Sequence, residues 1–308
     1  MIERMPDYIK ILPEPDYAEI KARPQTQWRG LIALAFYCCG LGAGTYIFSL
    51  YYNFVWGMII GYLINAGIGG LALFFDAGHG FRVWRAVTNF KRAWISRGVV
   101  FISCFSTFGF LSIIGHLNLL VSFSTGTPLV TAMDILTVIF GVAIMFYSGF
   151  VMSFSASLPF WNSALVPVIF LVYSFLGGLS LLLAVTPFFT AHGLDIHLLE
   201  KIELALMLLT FFSIMVYLVN SYGPGSTRFA ATKWLRSLLF WIGVVVIGLM
   251  IPLLIGFYVF FGITDPTFRI FGLSAVGFLE LIGGFIFRFI LLDAGHYSPL
   301  LSRDRRVR

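Results

Sequence analysis

The sequence predicts an all-α integral membrane protein with eight transmembrane helices, arranged as two four-helix bundles with both chain termini on the same side. Of its 308 residues, 59% are hydrophobic and 11% are charged, less than half of the roughly 25% charged residues typical of soluble domains. The mean hydropathy is +0.93. Apolar stretches long enough to cross about 30 Å of hydrocarbon can be placed eight times. These observations exclude a water-soluble fold.

The eight predicted spans follow one another through short connections. They run approximately over residues 29–53, 56–79, 98–124, 129–155, 163–187, 200–222, 234–262 and 268–293. Because the first two are almost contiguous, Asn53 and Trp56 are expected to flank a tight hairpin. Outside the membrane domain, which covers 29–293, the sequence predicts a polar N-terminal arm over 1–28 and a basic C-terminal tail over 294–308. No room remains for a separate soluble domain.

Basic residues are concentrated on one side of the predicted membrane domain. Seventeen of the 20 Lys and Arg residues fall on the side that holds both termini, Lys201 and Arg269 fall on the other, and Arg288 lies within the last span. The positive-inside rule therefore predicts that both termini are cytoplasmic. Each basic cluster flanks an apolar segment, which is the position of a topology signal, so nucleic acid is not an expected partner.

The histidines do not form a haem site in the predicted topology. His116 is the one histidine inside a span and away from its ends, whereas His79 and His296 lie at span ends. A membrane cytochrome b usually needs paired axial histidines deep in its helices. His116 is better explained by an interhelical hydrogen bond. The three cysteines show no zinc-binding spacing, so we expect neither haem nor a metal ion in this protein.

Few ionisable residues lie inside the spans, and each one is a candidate functional group. Glu280 lies near the bilayer midplane, where a carboxyl group must be protonated, paired or hydrated. Proton transfer is its preferred role, and the alternative is a structural partner for Arg288 two turns further on. Asp134 and Glu203 lie within about a turn of the outer span ends, where hydration explains them. Together the four residues form a candidate proton pathway from the outer face.

Aromatic and ionisable residues gather at the predicted cytoplasmic ends of the spans. The set comprises Trp28, Asp76, His79, Arg82 and Tyr147. An aromatic cleft with a phenol, an imidazole and a carboxylate supplies what a quinone headgroup needs, namely donors for its two carbonyl oxygens and a nearby proton carrier. An ordinary aromatic belt with snorkelling arginines explains the Trp and Arg residues, but it does not explain Asp76 or Tyr147.

Motifs distributed over nearly all the spans carry a resemblance to a known family. They are Trp28 followed by the stretch Gly40–Gly44, then DAGHGFRVWRAVTNFKRAWISRG from Asp76, YSGFVMSFSASLPFWNSALVPVIFL from Tyr147, and RFILLDAGH from Arg288. In these motifs the sequence resembles the NrfD and polysulfide-reductase type membrane subunits of respiratory oxidoreductases. The resemblance implies a haem-free, eight-helix quinone module in the cytoplasmic membrane of a bacterium or archaeon. It also implies an adjacent iron–sulfur subunit and, through it, a molybdenum or other catalytic subunit.

The resemblance assigns roles to two residues and shows two departures. Tyr147 occupies the position of the tyrosine that hydrogen-bonds the quinone headgroup, and Asp76 matches the acidic residue proposed for proton handling. Ile32 and Ala35 stand where the polysulfide-reductase version has Asn and His, so the site has either been rebuilt, with His79 as a candidate, or been lost. The basic residues also lie in the opposite loops from those of polysulfide-reductase and nitrite-reductase type members, so the face that meets the iron–sulfur partner is expected to be cytoplasmic.

The leading hypothesis is a membrane electron-transfer subunit that reacts with menaquinone or ubiquinone at Tyr147, Asp76 and His79. The protein itself carries no catalytic metal in this hypothesis, and whether it is an enzyme in its own right stays open. One alternative is a structural membrane anchor with a vestigial quinone site, which Ile32 and Ala35 favour. Another is a proton-conducting subunit or a secondary transporter, which Glu280 favours.

Overall fold

A computed structural model describes residues 17–20, 23–28, 30–76, 90–91, 93–119, 123–188, 195–221, 226–262, 265–297 and 300–303. In this part of the protein, eight helices are long and apolar enough to cross a membrane, which confirms the predicted number. The spanning helices are α1 (Gly30–Tyr51), α2 (Val55–Asp76), α3 (Trp94–His116), α4 (Pro128–Ser153), α5 (Leu165–Val185), α6 (Ile196–Ser221), α8 (Phe240–Gly262) and α9 (Pro266–Asp293). A shorter helix, α7 (Ser226–Arg236), precedes α8.

The arm and the tail pair with each other at one end of the bundle. Strand β1 (Tyr17–Ile20) runs antiparallel to strand β2 (Leu300–Arg303). A further bridge joins Pro24 to His296. This small sheet was not predicted, and it places both ends of the described polypeptide on one side, here called the terminal face. The other side, where α1 ends and α2 begins, is called the opposite face.

Helices α1 and α5 form the centre of the bundle. About three quarters of their most apolar windows are buried (78% and 72%), compared with 28% for α2 and α4. A Cβ atom added to Gly44 would lie 3.1 Å from the Cα of Gly178. The two backbones are therefore in direct contact, which is the close packing that small residues allow in membrane helices.

The predicted hairpin between the first two spans is confirmed. Asn53 has a φ of 52°, which is left-handed backbone that asparagine tolerates better than most residues. The Phe54 N–H donates to the Ser49 carbonyl oxygen at 2.8 Å and closes the turn. Only three residues then separate α1 from α2.

The third span differs from its prediction over 98–124, since α3 runs over Trp94–His116. Its first turn tolerates Arg97 because the guanidinium donates to the carbonyl oxygens of residues 90 and 91 at 3.2 and 3.1 Å. The helix ends early because Asn118 has a φ of 53°, which no right-handed helix can continue.

The seventh span was predicted to begin near residue 234 and instead begins with α8 at Phe240. The preceding residues form α7, whose buried Trp234 donates from its indole N–H to the Ile290 carbonyl oxygen at 2.9 Å. Its Lys233 forms an exposed ion pair with Asp293 at 2.7 Å. Helix α7 is therefore held against the end of α9 at the terminal face.

Two spans contain π-helical segments, in which the backbone turn is wider than in an α-helix. They cover Leu63–Gly69 in α2 and Phe240–Met250 in α8. The first contains the fully buried Asn65, whose Nδ2 donates to the Cys39 carbonyl oxygen at 2.6 Å. Pro252 follows the second, and because proline has no N–H group it cannot continue the hydrogen-bond ladder.

Candidate functional site

A cluster of aromatic side chains lies near the terminal face and contains two of the predicted site residues. Trp28 stacks on Trp161 with ring centroids 5.4 Å apart and contacts Phe36 edge-on at 5.9 Å. Phe36 in turn contacts Tyr147 edge-on at 6.1 Å. The structure therefore brings Trp28 and Tyr147 into contact with the same ring. We call these four residues the aromatic cluster.

Hydrogen bonds to the end of α9 fix the aromatic cluster. The buried Trp161 donates from its indole N–H to the Leu291 carbonyl oxygen at 2.9 Å. Gln25 donates from Nε2 to the carbonyl oxygens of Leu292 and Trp28 at 3.0 and 2.7 Å, and its Oε1 accepts from the Trp28 N–H at 2.9 Å. Gln25 of the N-terminal arm and Trp161 of the Pro-Phe-Trp-Asn motif (residues 159–162) thus donate to neighbouring carbonyl groups of α9, although they are far apart in sequence.

Tyr147 lies on α4 and is 4% exposed. Its ring occupies the space above Gly98, where an added Cβ atom would overlap three ring atoms. None of the described residues hydrogen-bonds the phenolic hydroxyl, which can therefore donate to a ligand.

Of the other predicted quinone-site residues, the structure describes Asp76 but not His79 or Arg82. Asp76 is the last residue of α2 and is exposed. It lies one turn beyond Leu73, which packs against the core that contains Tyr147. His79 and Arg82 lie outside the described residues. Ile32 and Ala35 are both buried on α1, and Ile32 belongs to the same apolar core as Tyr147.

A second group of polar side chains lies deep in the half of the bundle formed by α5, α6 and α9. Glu203 and Glu280 are 1% and 2% exposed, and their side chains lie next to each other. The Ser180 hydroxyl is hydrogen-bonded to Glu280 Oε2 at 2.5 Å and to the Leu176 carbonyl oxygen at 2.6 Å. The prediction that hydration at the membrane interface explains Glu203 is therefore wrong, because its side chain turns inward to another carboxyl group.

Arg288 is 1% exposed and is not the partner of Glu280. Within the described residues no carboxylate lies in ion-pair distance of its guanidinium, which donates to the Ser174 hydroxyl and the Gly284 carbonyl oxygen, both at 3.3 Å. Three aromatic rings surround it at 5.3 to 5.4 Å, which is cation–π distance. They belong to Tyr37, Phe170 and Tyr173. The alternative role of Glu280 as a structural partner of Arg288 is therefore wrong.

Asp134 belongs to a separate network between α3 and α4. It accepts a hydrogen bond from the Ser112 hydroxyl at 2.5 Å and contacts His116 Nε2 at 3.2 Å. The Tyr46 hydroxyl donates to Ser112 at 2.9 Å and extends the network to α1. The predicted interhelical hydrogen bond of His116 is confirmed. Asp134 is satisfied by protein groups, with no described contact to Glu203 or Glu280.

The sequence reasoning missed a buried ion pair near the opposite face. Glu200 is fully buried and accepts a hydrogen bond from Arg269. Arg269 also contacts Nε2 of the exposed His197 at 3.3 Å. The signal available in the sequence was the spacing of residues 197, 200 and 203, which places His197, Glu200 and Glu203 along one side of a helix.

Comparison with known proteins identifies the same family as the sequence motifs. A family model described as "Polysulphide reductase, NrfD" matches residues 18–299. The C subunit of polysulfide reductase from Wolinella succinogenes is 25% identical over 309 residues, which cover 87% of this sequence and 94% of that protein. The NrfD homolog of Haemophilus influenzae and the NrfD protein of Escherichia coli are each 26% identical, and the matches cover 55% and 56% of this sequence. The matched region spans about half the length of these two relatives (54% and 55%).

Proposed function

The chain belongs to the NrfD polysulphide reductase family of membrane subunits, and we propose that it exchanges electrons between a quinone or quinol and an adjacent iron–sulfur subunit of a respiratory oxidoreductase. The observation that carries this proposal is Tyr147, a buried phenol whose hydroxyl has no hydrogen-bond partner in the described residues. It lies within the aromatic cluster that also holds Trp28. The function requires no haem in this protein.

The residues around Tyr147 fit a quinone headgroup. Its hydroxyl donates to one carbonyl oxygen of the ring, and Phe36 and Trp28 supply flat apolar surfaces for the ring itself. Asp76 ends α2 at the terminal face, where it can exchange protons with water. His79 and Arg82, which lie outside the described residues, are proposed as a second proton carrier and as a positive charge. The quinone, which is menaquinone or ubiquinone, supplies the electron and proton chemistry when it is bound.

The terminal face is the proposed docking surface for the iron–sulfur partner, through which electrons pass to a molybdenum or other catalytic subunit. Electron transfer needs the partner's cluster near the quinone, and the aromatic cluster lies at this end of the bundle. The 17 basic residues that the sequence predicts on the side of the termini support a cytoplasmic orientation in the inner membrane of a bacterium or archaeon.

Two other functions have support from particular residues. Ile32 and Ala35 are buried apolar side chains, which favours a structural anchor whose quinone site is vestigial. The buried carboxyl groups of Glu203 and Glu280 favour proton movement, in addition to quinone chemistry or in place of it. The predicted proton pathway also included Asp134 and Arg288. Because these two residues bond to other groups and not to the glutamates, Glu203 and Glu280 are the part of the pathway that the contacts support.

Replacing Tyr147 by Phe tests the quinone site in the assembled complex. The change removes only the hydroxyl, so we expect quinone-linked turnover at limiting quinone to fall up to about tenfold, the equivalent of a hydrogen bond of about 0.5–1.5 kcal/mol. Tyr217→Phe is the matched control, because the buried Tyr217 hydroxyl donates to the Phe160 carbonyl oxygen at 2.6 Å and has a structural role. It should lower stability and leave the KM for quinone unchanged. Equal turnover in wild type and Tyr147→Phe would reject the site.

A further inference from the structure

Glu203 and Glu280 must share at least one proton. Their side chains lie next to each other and are 1% and 2% exposed. Two ionised carboxyl groups would repel each other strongly in a site that excludes water. At least one of the two therefore holds a proton.

The surroundings of this pair offer few hydrogen-bond donors. The Ser180 hydroxyl lies 2.5 Å from Glu280 Oε2 and 2.6 Å from the Leu176 carbonyl oxygen, and its single hydrogen can be donated to only one of them. One oxygen of each glutamate has no donor among the described residues. Arg288 lies eight residues further along α9, about 12 Å along the helix axis, and has no carboxylate partner of its own among the residues described. A pair that holds one proton carries one negative charge, and this charge compensates the positive charge of Arg288.

Polar side chains lie between this pair and the opposite face. His197 is exposed at the start of α6 and contacts Arg269, which is paired with the buried Glu200. Glu200 precedes Glu203 by one helical turn, so the two side chains lie on the same side of α6. The second carboxyl oxygen of Glu200 is buried and has no donor in the described part of the protein.

Arg288 and its surroundings block proton movement from this pair toward the terminal face. The guanidinium of Arg288 is surrounded by Tyr37, Phe170 and Tyr173 and by the Ser174 hydroxyl. The fixed positive charge repels a proton, and the aromatic rings exclude water from this region. Tyr37 donates its own hydroxyl hydrogen to the Leu281 carbonyl oxygen at 2.7 Å, so it is engaged by the backbone of α9.

We propose that Glu203 and Glu280 form a proton-binding site that holds one shared proton, carries one negative charge, and exchanges its proton with the aqueous phase at the opposite face. Uptake of one further proton makes both carboxyl groups neutral, and release returns the pair to its singly charged state. Arg288 opposes the uptake, because a neutral pair leaves its positive charge uncompensated. The site goes beyond the proposed quinone function and does not depend on it.

Infrared spectroscopy of the purified full-length protein in sealed lipid vesicles tests the shared proton. A protonated carboxylic acid has a carbonyl stretching band that shifts when its proton is exchanged for deuterium. We expect the wild-type protein to show such a band and the double variant Glu203→Gln/Glu280→Gln to lack it. Asp134→Asn is the matched control, since Asp134 is also an acidic residue inside a span but bonds to Ser112 and His116; the band should remain. A double variant with the wild-type band would overturn the proposal.

Two single substitutions keep both carboxyl groups and decide the matter if the double variant does not assemble. Ser180→Ala removes the hydroxyl that is hydrogen-bonded to Glu280, so the band should shift, because a carboxylic acid with fewer hydrogen bonds has a carbonyl group that vibrates at higher frequency. Arg288→Met removes the opposing charge, so the band should grow about twofold as both carboxyl groups become protonated. A band that neither substitution changes would contradict the shared site.

The sidedness of the site is measured by changing the pH on one side of the vesicle membrane at a time. The band should respond to the pH at the opposite face and not to the pH at the terminal face. An equal response from the terminal face would refute the closure by Arg288. All these spectra are recorded without quinone turnover, so their failure would leave the test of Tyr147 unaffected.

Discussion

The contact between Gly98 and Tyr147 is the most direct way to perturb the proposed quinone site without touching its chemistry. Gly98 lies in the first turns of α3, and a Cβ atom there would overlap three atoms of the Tyr147 ring. In Gly98→Ala the ring therefore has to move, together with the hydroxyl that is proposed to bind the headgroup. The ring cannot move freely, because Phe36 contacts it at 6.1 Å and the residue is 4% exposed.

Two opposing contributions set the expected change in stability. Overpacking a filled interior typically costs about 1–3 kcal/mol. Alanine in a helix interior is favoured over glycine by about 0.8–1.0 kcal/mol. We therefore expect Gly98→Ala to lower the free energy of unfolding by up to about 2 kcal/mol. The displaced hydroxyl should also reduce turnover at limiting quinone up to about tenfold, as its removal does.

The assay combines quinone-linked turnover of the complex with a thermal unfolding curve. Gly67→Ala is the matched control, because a Cβ atom there meets nothing within 4 Å, so turnover and stability should be kept or slightly improved. A double variant adds a further test: if Gly98→Ala acts by displacing the phenol, adding Tyr147→Phe should lower turnover no further. Additive losses, or unchanged turnover with unchanged unfolding temperature in Gly98→Ala, would refute the reasoning.

Two further predictions concern the aromatic cluster and the orientation of the protein. Trp161→Phe removes the indole donor to the Leu291 carbonyl oxygen and part of the surface under Trp28, so the free energy of unfolding should fall by about 1–3 kcal/mol; an unchanged unfolding temperature would contradict this role. A reporter fused after Arg308 should remain cytoplasmic in cells, because the sequence predicts 17 of the 20 basic residues on the side of the termini; a translocated, active reporter would reverse the orientation and the docking face.

Much of the fold followed from the sequence because span length and apolar composition are local properties. The number of spans, the Asn53 hairpin and the shared side of the two termini were predicted correctly. The errors arose where a side chain satisfied the backbone or a charge in an unforeseen way. Arg97 lies inside α3 because its guanidinium bonds to carbonyl oxygens just before the helix. The sheet between arm and tail joins residues nearly 300 positions apart (Tyr17 and Arg303), which no local pattern can indicate.

For the candidate sites too, the sequence indicated some features and only the structure showed the others. The sequence by itself determined which residues are unusual for a membrane, because an ionisable or hydrogen-bonding group in hydrocarbon is costly wherever it lies along a span. It therefore singled out Tyr147, Glu280 and Arg288 as residues that need an explanation. Only the tertiary structure decided their partners: Glu280 meets Glu203 and not Arg288, although Arg288 is on the same helix. The physical reason is that pairing depends on which faces of different helices meet, and helix packing sets this through contacts that are distant in sequence.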